Sequence, residues 1–239
     1  MRTVVLVSLI STLLPPSTSQ TSGTIQRVSN IAELRARTSA EQARAEHFDM
    51  PDFGFSVLEH EHVARIPERA LAPPVPPPPP PPGQPPLAPP PPETDADRLK
   101  ALACRSDIVI VGHAEAQRTL LTKSENFFFT DFEVAVERWI RPASSVARTV
   151  SASLLGGEVE LAGRRLSATF DGLPKLHQPY VFFLRKLRDD VGNVPTETPL
   201  KIDTPSLDVS AAILAKPVAL DLLLKELQRA VERCSRSSS

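Results

Sequence analysis

Between residues 128 and 140 apolar and polar side chains alternate. Phe128, Thr130, Phe132, Val134 and Val136 share one face, and Asp131, Glu133, Ala135 and Glu137 share the other. A period of two is that of a strand with one wet face, and the run Phe127 to Ile140 would extend about 45 Å, roughly twice the usual length. A strand that long must coil or bulge, which places it in a strongly curved sheet or small barrel. The triplet Phe127-Phe128-Phe129 necessarily puts a ring on the polar face. Phe127 and Phe129, with Trp139 further along, are therefore candidate ligand-facing aromatics, against the favoured reading that the preceding loop covers the ring.

Shorter strand patterns surround this one. Asp107 to Gly112 is a β-branched run, after which the chain turns polar from Glu115 to Lys123. Val146 to Leu154 predicts another strand, closed by the turn signal Gly156-Gly157. Glu158 to Leu161 and Arg165 to Phe170 predict a hairpin around Ala162-Gly163-Arg164. Tyr180 to Leu184 is the most apolar run and predicts a central strand, while Pro195 and Pro199 confine Val194 to Ile202 to an edge. Helical spacing occurs twice. Thr94 as N-cap with Asp97 three residues on introduces Leu99, Leu102 and Ala103, and Pro217 introduces Leu220, Leu223, Leu224 and Leu227 in a helix over about 218–234. Residues 94–239 thus predict one mainly β (α+β) domain: a curved sheet or barrel of five to seven strands with a short leading helix and a C-terminal helix.

The preceding third of the chain is different. Arg2, an apolar stretch to Leu14, and small residues at Ser17 and Ser19 predict a signal peptide over 1–19. Residues 20–71 are polar and predict a weakly ordered segment with one helix over 30–47, whose few apolar positions, Ile31 and Leu34 and then mostly Ala, leave it marginal. Residues 72–93 hold 15 of the 26 prolines, so no helix or sheet can form there. The expectation is a polyproline II linker of roughly 60 Å, acting as a spacer. A secreted or periplasmic location follows.

Composition narrows the chemistry. A net charge of -1 argues against nucleic acid, which demands clustered cations, and no apolar run is long enough to span a membrane. Cys104 and Cys234, at the two ends of the domain, predict a disulfide in an oxidising compartment. No Gly-x-Ser-x-Gly elbow and no phosphate-cradling glycine loop occurs. His60-Glu61-His62 does not set two imidazoles on one helix face, His113 and His177 lack a metal-binding spacing, and Asp189-Asp190 reads as turn chemistry. No catalytic residue, cofactor or metal ligand is assigned.

Ala103-Cys104, Asp107 with the strand ending at Gly112, Phe127 to Phe132 leading to Glu137, Gly156-Gly157, and Pro174-Lys175-Leu176 before Tyr180 to Leu184 together resemble a class of secreted bacterial proteins with a small OB-like or netrin-like β-barrel. The resemblance spans Leu99 to Leu187 and the closing helix. Two positions depart from it: Phe132 stands where Tyr is expected, and His177 where a turn glycine is usual. It carries no catalytic residues over. The expected function is an exported binding module, displayed on the proline-rich spacer, for an extracellular or periplasmic protein or polymer. A barrel resembling protease inhibitors and a hydrolase of unrecognised type are the alternatives.

Overall fold

The computed structural model describes residues 25–49, 56–59, 62–63, 94–142, 145–168, 173–188, 191–210, 214 and 216–237. The predicted signal peptide, the proline-rich stretch, His60-Glu61 and Asp189-Asp190 lie outside the described residues.

Two 14-residue strands, β3 (Ile108–Leu121) and β4 (Phe128–Arg141), form the spine. They pair antiparallel along almost their whole length, with register shifts at Val109/Ile110, Val111/Gly112 and Ala114/Ala116. These bulges supply the bend that so long a ladder requires. Glycine is obligatory at one of them, because a Cβ on Gly112 would lie 2.2 Å from the Ala135 carbonyl oxygen. The length of β3 corrects the expectation that it ends at Gly112. The Glu115–Lys123 stretch stays in the strand as far as Leu121, with Arg118 opposite Asp131 on one face and Gln117 and Thr119 opposite Phe132 and Thr130 on the other.

The other elements are β1 (Gln26–Val28), α1 (Ser39–His47), β2 (His62–Val63), α2 (Asp95–Arg105), β5 (Thr149–Leu155), β6 (Gly157–Leu161), β7 (Arg164–Ala168), β8 (Pro179–Arg188), β9 (Gly192–Pro195), β10 (Leu200–Asp203), β11 (Asp208–Ser210), β12 (Val218–Ala219) and α3 (Leu220–Ser237). The main sheet has eight strands in the order β12-β11-β10-β8-β3-β4-β5, with β9 also on β8. Where a curved sheet or barrel of five to seven strands was expected, the sheet is an open ladder of eight. The sheet nevertheless curls until β5 nears β9, where the Asn193 side-chain amide donates to the Ser151 carbonyl at 2.8 Å. A second sheet, β1-β6-β7-β2, stands beside it. Its β6–β7 hairpin turns through Ala162 (φ 48) and Gly163 (φ 84), the paired left-handed residues of a tight two-residue turn.

Two covers seal the main sheet. On one face α2 and α3 bury Val109, Val111 and Phe183 under Leu223, Leu224 and Leu227. Cys104 and Cys234 meet there at disulfide distance, Cα–Cα 5.5 Å. At the other end of the spine the second cover is the N-terminal segment, which corrects the reading of 20–71 as a weakly ordered stretch carrying a helix over 30–47. Residues 25–49 contain β1, a 3-10 turn at Ile31–Glu33 and α1, and all three dock. Val28 and Leu34 pack with Phe127 and Phe128, while Ala45 and Phe48 pack with Leu120 and Phe129. β2 pairs with β7 and α2 packs on the main sheet, so described residues on both sides of the proline-rich stretch contact the same body.

Candidate functional site

The aromatic residues singled out by the sequence are not a ligand platform. Phe127 and Phe129 are 3% and 0% exposed, covered by the N-terminal segment. That cover is what period-two reasoning could not supply, since it comes from about 80 residues upstream. Trp139 is half-buried, and its indole N–H donates to the Ala147 carbonyl at 2.9 Å. The three rings do not converge on a cleft.

A cleft forms where β3 leaves β8. The two strands pair from Ile108↔Leu184 to His113↔Pro179, beyond which β3 continues alone on that side. The gap, about 760 Å³, is floored by Gln117, Thr119, Thr130 and Phe132 and walled by the loop Leu173–Pro179. The loop is pinned rather than loose. The Lys175 amide donates to Tyr180 Oη at 3.0 Å, and the His177 amide donates to the Ala114 carbonyl at 2.8 Å. Below the floor, Thr130 Oγ1 donates to the Gly156 carbonyl at 2.7 Å and pairs with Thr119 Oγ1 at 3.0 Å. A Cβ on Gly157 would meet Thr119 Cγ2 at 2.5 Å, so the floor admits only glycine there.

The free edge of β3 is partly capped. The Gln26 side chain imitates a peptide unit, accepting from the Thr119 amide at 2.7 Å and donating to the Thr119 carbonyl at 3.3 Å. Further up, the Leu121 amide donates to the Leu34 carbonyl at 2.8 Å. Alternation along the ladder then turns the backbone N–H and C=O of Gln117 to the same edge, facing the cleft between the Gln26 cap and the His177 loop.

At the rim, folding gathers the two imidazoles that the sequence left apart. His113 Nδ1 is 2.8 Å from Glu137 Oε1, and His113 Nε2 is 3.9 Å from Glu115 Oε1. The His113 and His177 ring centroids are 6.4 Å apart. His177 holds φ at 60°, the left-handed region that suits glycine, which is the position where the resemblance expected one. His113 pairs with Ala135, so strand alternation sets His113 and Glu115 on the same side as Glu137 of β4 once the register of the two strands is known. As the side chains stand, no three potential ligands among the described residues are arranged to hold a metal ion.

A second polar cluster joins α1 to the spine. Arg44 donates to both carboxylate oxygens of Asp131, at 3.0 and 2.8 Å, and also to the Val191 carbonyl. Ser153 donates to the same Asp131 at 2.6 Å. Arg44 thereby ties β4, β5 and the β8–β9 turn across the open seam of the curl. The buried Glu41 faces Arg118 of β3 and accepts from the Arg37 and Thr38 amides. Burial pushes the Glu41 carboxyl up, but the two amides and the Arg118 charge outweigh it and leave its pKa below the ordinary value.

No helix among the described residues is long and apolar enough to cross a membrane. No protein-family model and no curated protein matches the chain.

Proposed function

We propose that this chain is an exported binding module that holds an extended peptide segment of a partner protein in the cleft between β3 and the Leu173–Pro179 loop. The observation that carries the reading is the outward-facing backbone of Gln117, flanked by two neighbours already capped, one by the Gln26 amide and one by the His177 loop. An extended chain adds to such an edge through main-chain hydrogen bonds, with side chains alternating between pockets. The lining suits this, with apolar Phe132 and Leu173 beside Lys175 and Glu158. Export rests on the N-terminal pattern and fits a cysteine pair at disulfide distance. The curl of β9-β8-β3-β4-β5 toward itself is also what supports an OB-like description of the main sheet.

Selection of a random peptide library on the immobilised full chain tests the proposal. Binders should be enriched and should be lost in Lys175→Glu and in Thr204→Trp, which fills the cleft. Absence of binders, or binders indifferent to both changes, would sink it.

A further inference from the structure

We propose that the open seam of the curl binds a tetrahedral oxyanion, the phosphate or sulfate ester group of an external ligand, between Arg44, Lys186 and Arg188. The site shares no residue with the cleft beside β3, so the inference is independent of the peptide-binding reading.

A cavity of about 350 Å³ opens where β5 approaches β9. Its polar side chains are Arg44 of α1, Thr149 and Ser151 of β5, Lys186 and Arg188 of β8, and Asn193 of β9. Three cations and three neutral hydrogen-bonding groups meet there, and among the described residues no carboxylate joins the lining.

The cations differ in how far their charge is already answered. Arg44 is neutralised by Asp131, and three of its five N–H groups go to Asp131 and Val191. Those bonds fix the guanidinium and leave it two donors. Lys186 and Arg188 keep their charge. The Lys186 amide donates to Asp107 at 2.9 Å, but among the described residues its ammonium has no partner. Arg188 feels the charge of Glu46 without bonding it, and Glu46 is itself bonded to Lys123 at 2.8 Å. Two uncompensated cations on one wall repel each other, and an anion between them relieves that repulsion.

The backbone keeps the mouth open. Register slips between Lys186 and Arg188 where β8 meets β9, the kind of bulge that re-aims side chains. Gly192 holds φ at 117°, and a Cβ there would stand 3.5 Å from Ser151 Oγ and 3.7 Å from Arg44 Nη1. Without that carbon a ligand oxygen can reach the backbone between the two groups. Donors arriving from α1, β5, β8 and β9 suit the several oxygens of a phosphate or sulfate ester better than the two of a planar carboxylate.

Titration of the isotope-labelled full chain with phenyl phosphate, phenyl sulfate and, as the planar control, phenylacetate tests the site through its amide chemical shifts at constant ionic strength. The expected result is saturable shifts at Ser151, Gly192 and Asn193 with at least one of the two esters, at lower concentration than with phenylacetate. Lys186→Gln and Arg188→Gln should each weaken that binding roughly tenfold. Both side chains are exposed, so the melting temperature should hold. Lys225→Gln removes one exposed charge from α3 and should leave the binding as it was. The ester that binds more tightly names the source, and a phosphate ester should also tighten as its second proton leaves at about pH 6. No saturable shift with either ester, equal affinity for phenylacetate, affinity unchanged in Lys186→Gln and Arg188→Gln, or an equal loss in Lys225→Gln would overturn the proposal.

Discussion

The two covers of the main sheet do the same job by different physics. The helical cover buries a leucine stripe, with Leu223, Leu224 and Leu227 at 4% exposure or less, and is closed by the cysteine pair. The N-terminal cover packs fewer apolar side chains, Val28, Leu34, Ala45 and Phe48, and α1 itself buries only Glu41 and Ala45. Added to that packing are edge hydrogen bonds to Thr119, Leu121 and Lys123, and the ion pairs of Glu41 and Arg44. An apolar stripe is non-directional and adds up by area, whereas an edge bond or ion pair works only in one register. The helical cover therefore supplies stability and the N-terminal cover supplies specificity of placement.

Removing the cysteine pair is the largest way to break that contrast. For a sequence separation of 130 the chain-entropy account gives about 5 kcal/mol, a model-dependent figure. The double variant Cys104→Ser/Cys234→Ser should lower the denaturant midpoint accordingly. Amide exchange should accelerate most in α2 and α3, with the amides of Leu121 and Lys123 changing no more than the global stability does. Selective loss at those two amides would show that the covers are one unit.

Arg44→Met is the matching break on the other side. It leaves Asp131, with its side chain 22% exposed, deprived of its cation, and it also removes the donor to Val191. The expected cost is about 2–3 kcal/mol, between a surface pair and a fully buried one. Exchange should rise at Lys123, whose amide donates to the Ala45 carbonyl of α1, while α3 stays protected.

Acid discriminates the covers without any substitution. The folded-state pKa of Glu41 lies below the ordinary carboxylate value of 4.5, so its contribution is complete above that pH and is lost as pH falls through the lower folded value. The N-terminal cover should therefore loosen in acid before the helices do, read as exchange at Leu121 and Lys123 below pH 4.5. Glu41→Gln should flatten that dependence, and an unchanged acid profile in this variant would assign the loosening to another carboxylate.

The same contrast decides what was legible. Period two in Phe128–Arg141 and the leucine spacing of Leu220–Ser237 report apolar burial, and both elements appear close to where their patterns put them. The N-terminal cover was opaque because its partners are 77 residues away for Glu41 and 87 for Arg44, and a charged residue in an amphiphilic segment announces nothing about its counter-ion. For the same reason the pattern points to the preceding loop as the cover of this aromatic triplet, where Val28, Leu34, Ala45 and Phe48 of the N-terminal segment pack on it. The second half of β3 was misread because Glu115, Gln117 and Arg118 look like a loop unless a bulged ladder is already assumed. At the rim, the left-handed φ of His177 was foreshadowed by the glycine expected there, while its approach to His113 depends on the loop crossing back over Ala114.

The smallest test compares two helix starts that are chemically alike. Thr38 of α1 and Thr94 of α2 are both N-caps in complete capping boxes, with Glu41 and Asp97 at N3. Capping alone assigns either Thr→Ala change about 1 kcal/mol. Asp97 is exposed and its bonds stay within the Thr94 box, so Thr94→Ala should stop there. Glu41 also faces Arg118 of β3, so Thr38→Ala, which removes the hydroxyl accepting from the Glu41 amide, loosens the turn that carries this carboxylate and should cost up to about 1 kcal/mol more. Adding Arg118→Met should abolish that excess for Thr38→Ala and leave Thr94→Ala unchanged, a coupling that thermal unfolding of the double variants measures. Equal costs for the two caps would mean that the N-terminal cover is held by its apolar packing and edge hydrogen bonds, with the ion pair contributing nothing to its placement.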